Sequence, residues 1–281
     1  MTRLRQSDLV GITNSLDQYD RELIAKTGKN LQGIACSVAH LENDRISDSL
    51  NSIMIGIIPV SCGEGIIDGF ANTVIHIIKQ IGFKGFVTAH TDVAGLAEAV
   101  NRGADIVLMA DDTCFIAFNI NKKFIVNNAQ ATGAAYAHGL SLMVGGFERK
   151  KVLLIGCGCV GRAAAFSLIR LGSKLSIFDA VESKSVQLSH ELNQILNVNV
   201  SIEKNLQDAL PRSTLVLDAA GLNHGIHADT LHTDVFIAAP GLPIGLSQEA
   251  REKVGSRLLH DPLQIGVAAM AMLALVDARS W

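Results

Sequence analysis

This chain of 281 residues has no apolar run long enough to cross a bilayer. Its longest, Ile265 to Val276, falls short of the roughly 20 residues a membrane helix needs, so it reads as a buried helix. There is no marked excess of charge of either sign. A net charge of −3 offers no electrostatic reason to expect nucleic acid or an anionic membrane as a partner. The opening Met-Thr-Arg-Leu-Arg-Gln lacks the apolar core of a signal peptide. Cysteine is sparse and unpaired: five residues, odd in number and scattered, suit a reduced cytoplasmic setting and no disulfide framework. The nine histidines form no His-x-x-x-His pair, and Cys157-x-Cys159 has no Cys-x-x-Cys partner, so no metal site is expected. Internal repeats and low-complexity segments are missing too.

What is present is a dinucleotide-binding pattern. Val152 to Ile155 read as a buried strand running into Gly156-x-Gly158-x-x-Gly161. A helical pattern follows through Leu171 and stops at Gly172, and a second strand, Leu175 to Phe178, ends at Asp179. In this arrangement the first glycine permits the sharp turn, the second lets main chain approach a diphosphate, and the third lets helix and strand pack closely. Cys159 and Val160 would open the helix, whose unpaired N–H groups attract phosphate. Asp179 is placed to accept hydrogen bonds from an adenosine ribose. Ala180, Val181 and Glu182 bring no arginine for a 2′-phosphate, so NAD is expected rather than NADP.

The remaining pattern predicts two domains. Leu9, Ile12, Leu16, Tyr19 and Leu23 mark one amphipathic helix, capped by Ser7 or Asp8 and ended by Gly28. A second helix is expected over 31–41 and an exposed polar stretch over 42–52. Strands at 53–60, 86–88 and 106–110 alternate with helices through 66–81 and 93–100, which implies a small parallel sheet. Two β-like pieces, 115–118 and 124–126, precede a helix over 129–143. Further strands are expected at 198–202, 214–218, 235–238 and 257–260, with helices over 183–196 and from Gln264 to about Asp277. The fold class is therefore α/β. A smaller N-terminal helical plus α/β substrate domain (1–146) precedes a C-terminal Rossmann domain (147–262), and a C-terminal helix (263–281) packs back on the first domain.

Ligands of open α/β sheets bind beyond the carboxyl ends of the strands. The turns there are Ser61 to Glu64, Asp111-Asp112, Asn127-Asn128 and, in the nucleotide domain, Ala219-Ala220 and Pro240-Gly241, which are expected to line the cofactor. Glu64, Asp111, Asp112 and Asp261 are acids, and the first-domain turns hold no Lys or Arg. Such a pocket suits an aminated, cationic substrate. Asp112 reads equally well as a turn cap, and one of the two asparagines as an N-cap, which leaves Asn128 for the substrate. His90 and His260, near strand ends, read as surface or packing residues, and Ser61-Cys62 has no His-acid pair to make a nucleophile.

These same turns carry a resemblance. Ile57-Ile-Pro-Val-Ser-Cys-Gly-Glu-Gly-Ile-Ile67, Met109-Ala-Asp-Asp112, Asn127-Asn128 with Thr132-Gly133, Ala239-Pro-Gly241 and Pro262-Leu-x-Ile-Gly266 resemble the PylD family. Its members are the NAD-dependent dehydrogenases that complete pyrrolysine biosynthesis. The resemblance runs from residue 4 to about residue 272. It implies a small-molecule isopeptide substrate, L-lysine-Nε-3R-methyl-D-ornithine, oxidised at the carbon bearing its terminal amine. The imine is then hydrolysed to an aldehyde with loss of ammonia, and the ornithine α-amine closes the pyrroline ring. The resemblance also implies that Asp111 and Asn128 are the catalytic and substrate-pocket pair. Ser61 and Cys62 match a small polar pair beside them, and Leu4 matches a leucine on an N-terminal helix that closes over the substrate. The sequence departs from the family pattern at Cys62, where serine is familiar, at Glu64, where asparagine is, and at Asp261, where glutamate is. The oligomeric state is not fixed by the sequence, and a homodimer is compatible with it.

Overall fold

The computed structural model describes residues 4–42, 46, 49–221 and 225–276. The chain divides into two compact units. One comprises Met1–Ala25, Lys29–Ala131 and Pro262–Trp281, and the other Lys26–Gly28 and Thr132–Asp261.

The first unit is built on a five-stranded sheet of order β2-β1-β3-β4-β5. Its strands are β1 (Met54–Ile58), β2 (Lys84–Val87), β3 (Ile106–Ala110), β4 (Phe115–Asn119) and β5 (Phe124–Asn127). The expected parallel sheet is found only over β2-β1-β3. β4 and β5 are antiparallel to their neighbours, joined by short turns that leave no room for a crossover helix. The register (Ile58↔Met109, Ala110↔Phe115, Ile116↔Asn127) brings the ends of β1, β3 and β5 to one edge of the sheet. Helices α1 (Gln6–Leu9), α2 (Ile12–Thr27), α3 (Leu31–Val38), α4 (Phe70–Gln80) and α5 (Asp92–Asn101) cover the unit, and α6 (Asn128–Met143) leaves it.

Several boundaries differ from the sequence pattern for local reasons. The first helix is two, because Gly11 adopts φ +83° and interrupts the run. Its N-terminal residue is Arg5, whose N–H donates to Asp8 Oδ2 at 2.7 Å, and neither Ser7 nor Asp8 is the N-cap. The helix expected from Ile66 begins only at Phe70, since Gly65 and Gly69 stand at φ +83° and +80°. Within the stretch 42–52, residues 43–45 and 47–48 lie outside the described residues. Leu50, expected to be exposed, is 0% exposed.

The second unit is a parallel six-stranded sheet of order β11-β10-β9-β6-β7-β8, the doubly wound Rossmann pattern. Its strands are β6 (Lys151–Ile155), β7 (Lys174–Phe178), β8 (Ser201–Ile202), β9 (Leu215–Asp218), β10 (Phe236–Ala238) and β11 (Leu258–Leu259). They alternate with α7 (Cys159–Arg170), α8 (Glu182–Leu196), α9 (Leu206–Ala209) and α10 (Gln248–Val254). The strands expected at 198–202 and 257–260 shrink to two residues each, as edge strands with a single neighbour do. The closing helix α11 (Gln264–Leu273) is buried at every residue and packs on α3, α4, β4 and β5 of the first unit. It stops short of Asp277, which lies outside the described residues. The division between the units falls inside α6, at Ala131 and Thr132, and not after that helix.

Candidate active site

In the second unit the glycine turn has the space and conformation that its spacing implies. Gly156 stands at φ +91°, and a Cβ there would lie 2.9 Å from main-chain atoms of Ala219 and Ala220. At Gly161 a Cβ would come within 1.8 Å of Gly156 O. Gly158, the N-cap of α7, has open space where its Cβ would be, so no protein atom fills the position that must admit a diphosphate. Cys159 and Val160 follow as the first residues of α7. Asp179 holds the turn: Oδ2 accepts from Cys157 N at 2.8 Å and Oδ1 from Val181 N at 2.9 Å. Ala219 N donates to Ile155 O at 2.8 Å, and a Cβ on Gly241 would lie 3.0 Å from Gly221 N. The structure thus brings Gly156–Gly161, Asp179, Ala219, Ala220 and the Pro240–Gly241 turn to one edge of the sheet. These residues fit a dinucleotide. Cys157, expected to be a filler, faces Phe178 O and Ser185, and burial pushes its thiol up to about 11.

In the first unit three turns are tied into a block. Asp112 Oδ2 accepts from Glu64 N at 2.7 Å. It lies where a side chain on Gly63 would be, 1.9 Å from an added Cβ, so that position, at φ +67°, requires glycine. Asp112 is thus a bracket between turns. Asp111 has the cap geometry too: its Oδ1 accepts from Thr113 N, Thr113 Oγ1 and Cys114 N, each at 2.7 Å. The Thr113 hydroxyl, then the two amides, hold its carboxyl below the usual range, and the residue remains exposed. Asn127 Oδ1 accepts from Ala129 N at 2.8 Å, and its Nδ2 donates to Cys114 Sγ at 3.2 Å. Asn127 is therefore the helix cap, and Asn128 begins α6, half-buried. Ser61, Cys62 and Glu64 are exposed and Leu4 half-buried. α1 packs on α4, and Gln6 Nε2 donates to Asp68 Oδ2 at 3.1 Å, so the N-terminal segment lies by the same turn region.

Three residues were not singled out from sequence. Asp92 clamps Ser61, accepting from its N–H at 2.8 Å and its hydroxyl at 2.6 Å. It does so from φ +53°, a strained conformation for a non-glycine residue. The Ser61 hydroxyl and amide lower its pKa. Tyr136 takes up Asp261: its hydroxyl lies 3.0 Å from Asp261 Oδ2 and accepts from Asp261 N at 2.9 Å. Asp261, expected to meet substrate, is 5% exposed. Asp218 ends β9 fully buried. A signal was available for it, since it ends an apolar strand as Asp111 and Asp179 do. His90 Nδ1 pairs with Glu98 at 3.0 Å on the surface, and His260 Nδ1 with Ala239 O at 2.7 Å. Among the described residues no cluster of three His, Cys, Asp or Glu could hold a metal ion, and no helix is long and apolar enough to cross a membrane.

A family profile described as pyrrolysine biosynthesis protein PylD, N-terminal domain, matches residues 8–126. One described as alanine dehydrogenase/PNT, C-terminal domain, matches residues 125–239. Among solved structures, quinate dehydrogenase from Corynebacterium glutamicum in complex with NAD superposes with a TM-score of 0.54 at 14% identity, over 80% of this chain and 94% of that one. Shikimate dehydrogenase from Aquifex aeolicus gives 0.52 at 14% identity, over 79% and 91%. Fold and glycine cradle together define a two-unit protein of the dehydrogenase type with a C-terminal Rossmann unit. Pyrrolysine synthase of Methanosarcina acetivorans is 31% identical over 270 residues, covering 96% of this chain and 98% of that protein. The pyrrolysine synthase of Methanosarcina barkeri is 31% identical over 271 residues, covering 96% and 97%. The chain belongs to the pyrrolysine synthase, or PylD, family.

Proposed function

We propose that this protein is an NAD-dependent oxidoreductase of pyrrolysine biosynthesis. It would oxidise the terminal amine of L-lysine-Nε-3R-methyl-D-ornithine, with loss of ammonia and ring closure. The observation that carries the reading is the block of turns holding Ser61–Glu64, Asp111–Asp112 and Asn127–Asn128 together at one sheet edge, acidic and without Lys or Arg. Carboxylates fixed by main-chain amides anchor ammonium groups, and a keto or hydroxy acid would be repelled there.

NAD⁺, when bound, supplies the hydride acceptor. The residues that would hold it are Gly156, Gly158, Cys159, Val160 and Gly161 for the diphosphate and Asp179 for the adenosine ribose. Ala219, Ala220, Pro240 and Gly241 would serve its nicotinamide end. A hydride leaves only from carbon that bears a neutral amine, so a bound ammonium must first lose a proton. Asp111 is held too acidic to be a good acceptor for that proton, and its part is to anchor and orient the amine beside Asn128. Ser61, Cys62 and Glu64 would meet the rest of the isopeptide, Asp92 keeps Ser61 in place, and Leu4 would cover it. Asp261, buried and held by Tyr136, would support the chain after β11 and would not itself meet the isopeptide.

The test is direct. Purified protein with NAD⁺ and the isopeptide should release NADH and ammonia in equal amounts, and NADP⁺ should substitute poorly. No NADH at saturating NAD⁺ sinks the reading, and tight NAD⁺ binding without turnover of any amine would point to a binding module. A second reading, another amino- or imino-acid dehydrogenase, has Glu64 in its favour, because this exposed carboxylate stands where the family pattern has an amide. Faster turnover of ornithine or lysine than of the isopeptide would select it.

A further inference from the structure

Asp218 is the strongest candidate for a role outside those already assigned. It ends β9 beside the glycine turn, paired with Ile155, and is 0% exposed. Oδ1 accepts from Ala220 N at 3.1 Å. Oδ2 is buried and has no hydrogen-bond partner among the described residues. The main chain closes over it: a Cβ on Gly245 would lie 2.5 Å from Oδ2 and 3.0 Å from Gly221 O, and one on Gly241 3.0 Å from Gly221 N. Two turns that follow β9 and β10 are thus folded over a single carboxylate with no room for side chains.

Packing alone does not call for this. A buried carboxylate with an unsatisfied oxygen is costly, and a neutral residue of similar shape would serve the two turns better. Nor is a counter-cation at hand among the described residues. Burial raises the Asp218 pKa to about 6, opposed in part by the amides of Ala220, Gly221 and Gly245, and no charged side chain contributes. The Gly245 amide is near enough to favour the anion without being aligned to satisfy Oδ2. Among the described residues, the titratable groups of the glycine turn, its helix and the segments after β7 and β9 are otherwise engaged. Cys157 faces Phe178 O and Ser185, and Asp179 takes the amides of Cys157 and Val181. Arg162 is bound by Glu191, and His227 acts on Glu249. The segments 219–221 and 239–247 contain no ionisable side chain.

We infer that Asp218 is a positioning residue that acts electrostatically: sealed beneath the turns at the nicotinamide end, its anion favours the oxidised, positively charged cofactor over the reduced, neutral one. The inference rests on the reading of this unit as an NAD site. A fixed charge in a water-poor setting acts over several ångströms, and oxidised and reduced cofactor differ there by one unit of charge. The same carboxylate holds the turn after β9 through Ala220.

The experiment is calorimetric titration of NAD⁺ and NADH, separately, into the wild type and Asp218→Asn at several pH values from 5 to 8, with thermal unfolding alongside. At pH 7.5 the substitution should weaken NAD⁺ by about tenfold and NADH by no more than about twofold. In the wild type, with no variant needed, the ratio of the NAD⁺ to the NADH dissociation constant should rise as pH falls through about 6. In Asp218→Asn that ratio should be flat. Equal weakening of both cofactors, or a wild-type ratio that does not move with pH, overturns the inference and leaves the NAD site standing. A wild type that binds neither cofactor overturns both.

Discussion

At the residue scale the site is a set of acids whose surroundings give them different work. Asp111 and Asp112 are adjacent, yet one is exposed with three donors on a single oxygen and the other ties two turns together. Asp111→Asn keeps the size and the acceptor oxygen but loses the charge. It should raise KM for the isopeptide by about tenfold or more, the worth of a charge-assisted bond, and leave the NAD⁺ dissociation constant unchanged; equal losses would make Asp111 structural. Glycines 158 and 161 separate in the same way. Gly158→Ala should fold normally and bind NAD⁺ poorly, whereas Gly161→Ala forces a Cβ to within 1.8 Å of a carbonyl and should lower the melting temperature as well. Asp218 adds a pH signature. Its folded pKa is raised, so its contribution to stability is fully present below the unfolded value near 3.8 and is lost as pH rises through about 6. In Asp218→Asn this loss between about pH 4 and 6 should vanish from a series of chemical unfolding curves. The strand-then-acid pattern that marked Asp111 and Asp179 was legible in the sequence. What it could not show was which acid would be buried, because that depends on turns from three separate strands converging. Asp92 was hidden for a related reason, since its partner Ser61 is far away along the chain.

At the scale of elements, legibility followed burial. The run Ile106–Ala110 was fully readable because a central parallel strand is apolar on both faces. The short outer strands β8 and β11 read too long, since edge strands end where pairing ends and not where hydrophobicity does. The break between α1 and α2 was masked by an apolar spacing that continues across Gly11. The cap of α3 was not read from the sequence, although its side chain has a conventional partner. Asn30 accepts from Gly33 N at 2.9 Å at the start of α3, and Asn30→Ala should cost about 1 kcal/mol, seen as a melting temperature lower by about 2–4 °C. Tyr136→Phe should cost more, about 1–3 kcal/mol, because it takes a donor from the buried Asp261 carboxylate. The cost would appear in the denaturant midpoint without a change in slope, and a midpoint equal to wild type would show that the pair contributes nothing.

For the molecule as a whole, composition and patterning were enough to define an α/β chain with a Rossmann half. They did not show that the first sheet is mixed, since the β4–β5 pair carries no signal of direction. The long helix α6, legible as a link between halves, turned out to contain the division rather than precede it. The segment after Asp261 is the other lesson at this scale. Read as a buried helix from its apolar run alone, α11 supplies the first unit with a wholly buried element lying on α3 and α4, and Ala274 O accepts from the buried Asn119 at 2.8 Å. A chain that ends at residue 261 should therefore keep its affinity for NAD⁺ while the first unit loses protection against amide exchange; loss of both together would mean that the units are not separately stable.

That placement has a bearing on how the polypeptide is born. Domains commonly mature in the order in which they leave the ribosome. Here the first unit is completed by α11, which follows the Rossmann unit in sequence, so the nascent Rossmann half can close first while the earlier-made half waits, incomplete, for residues 264–273.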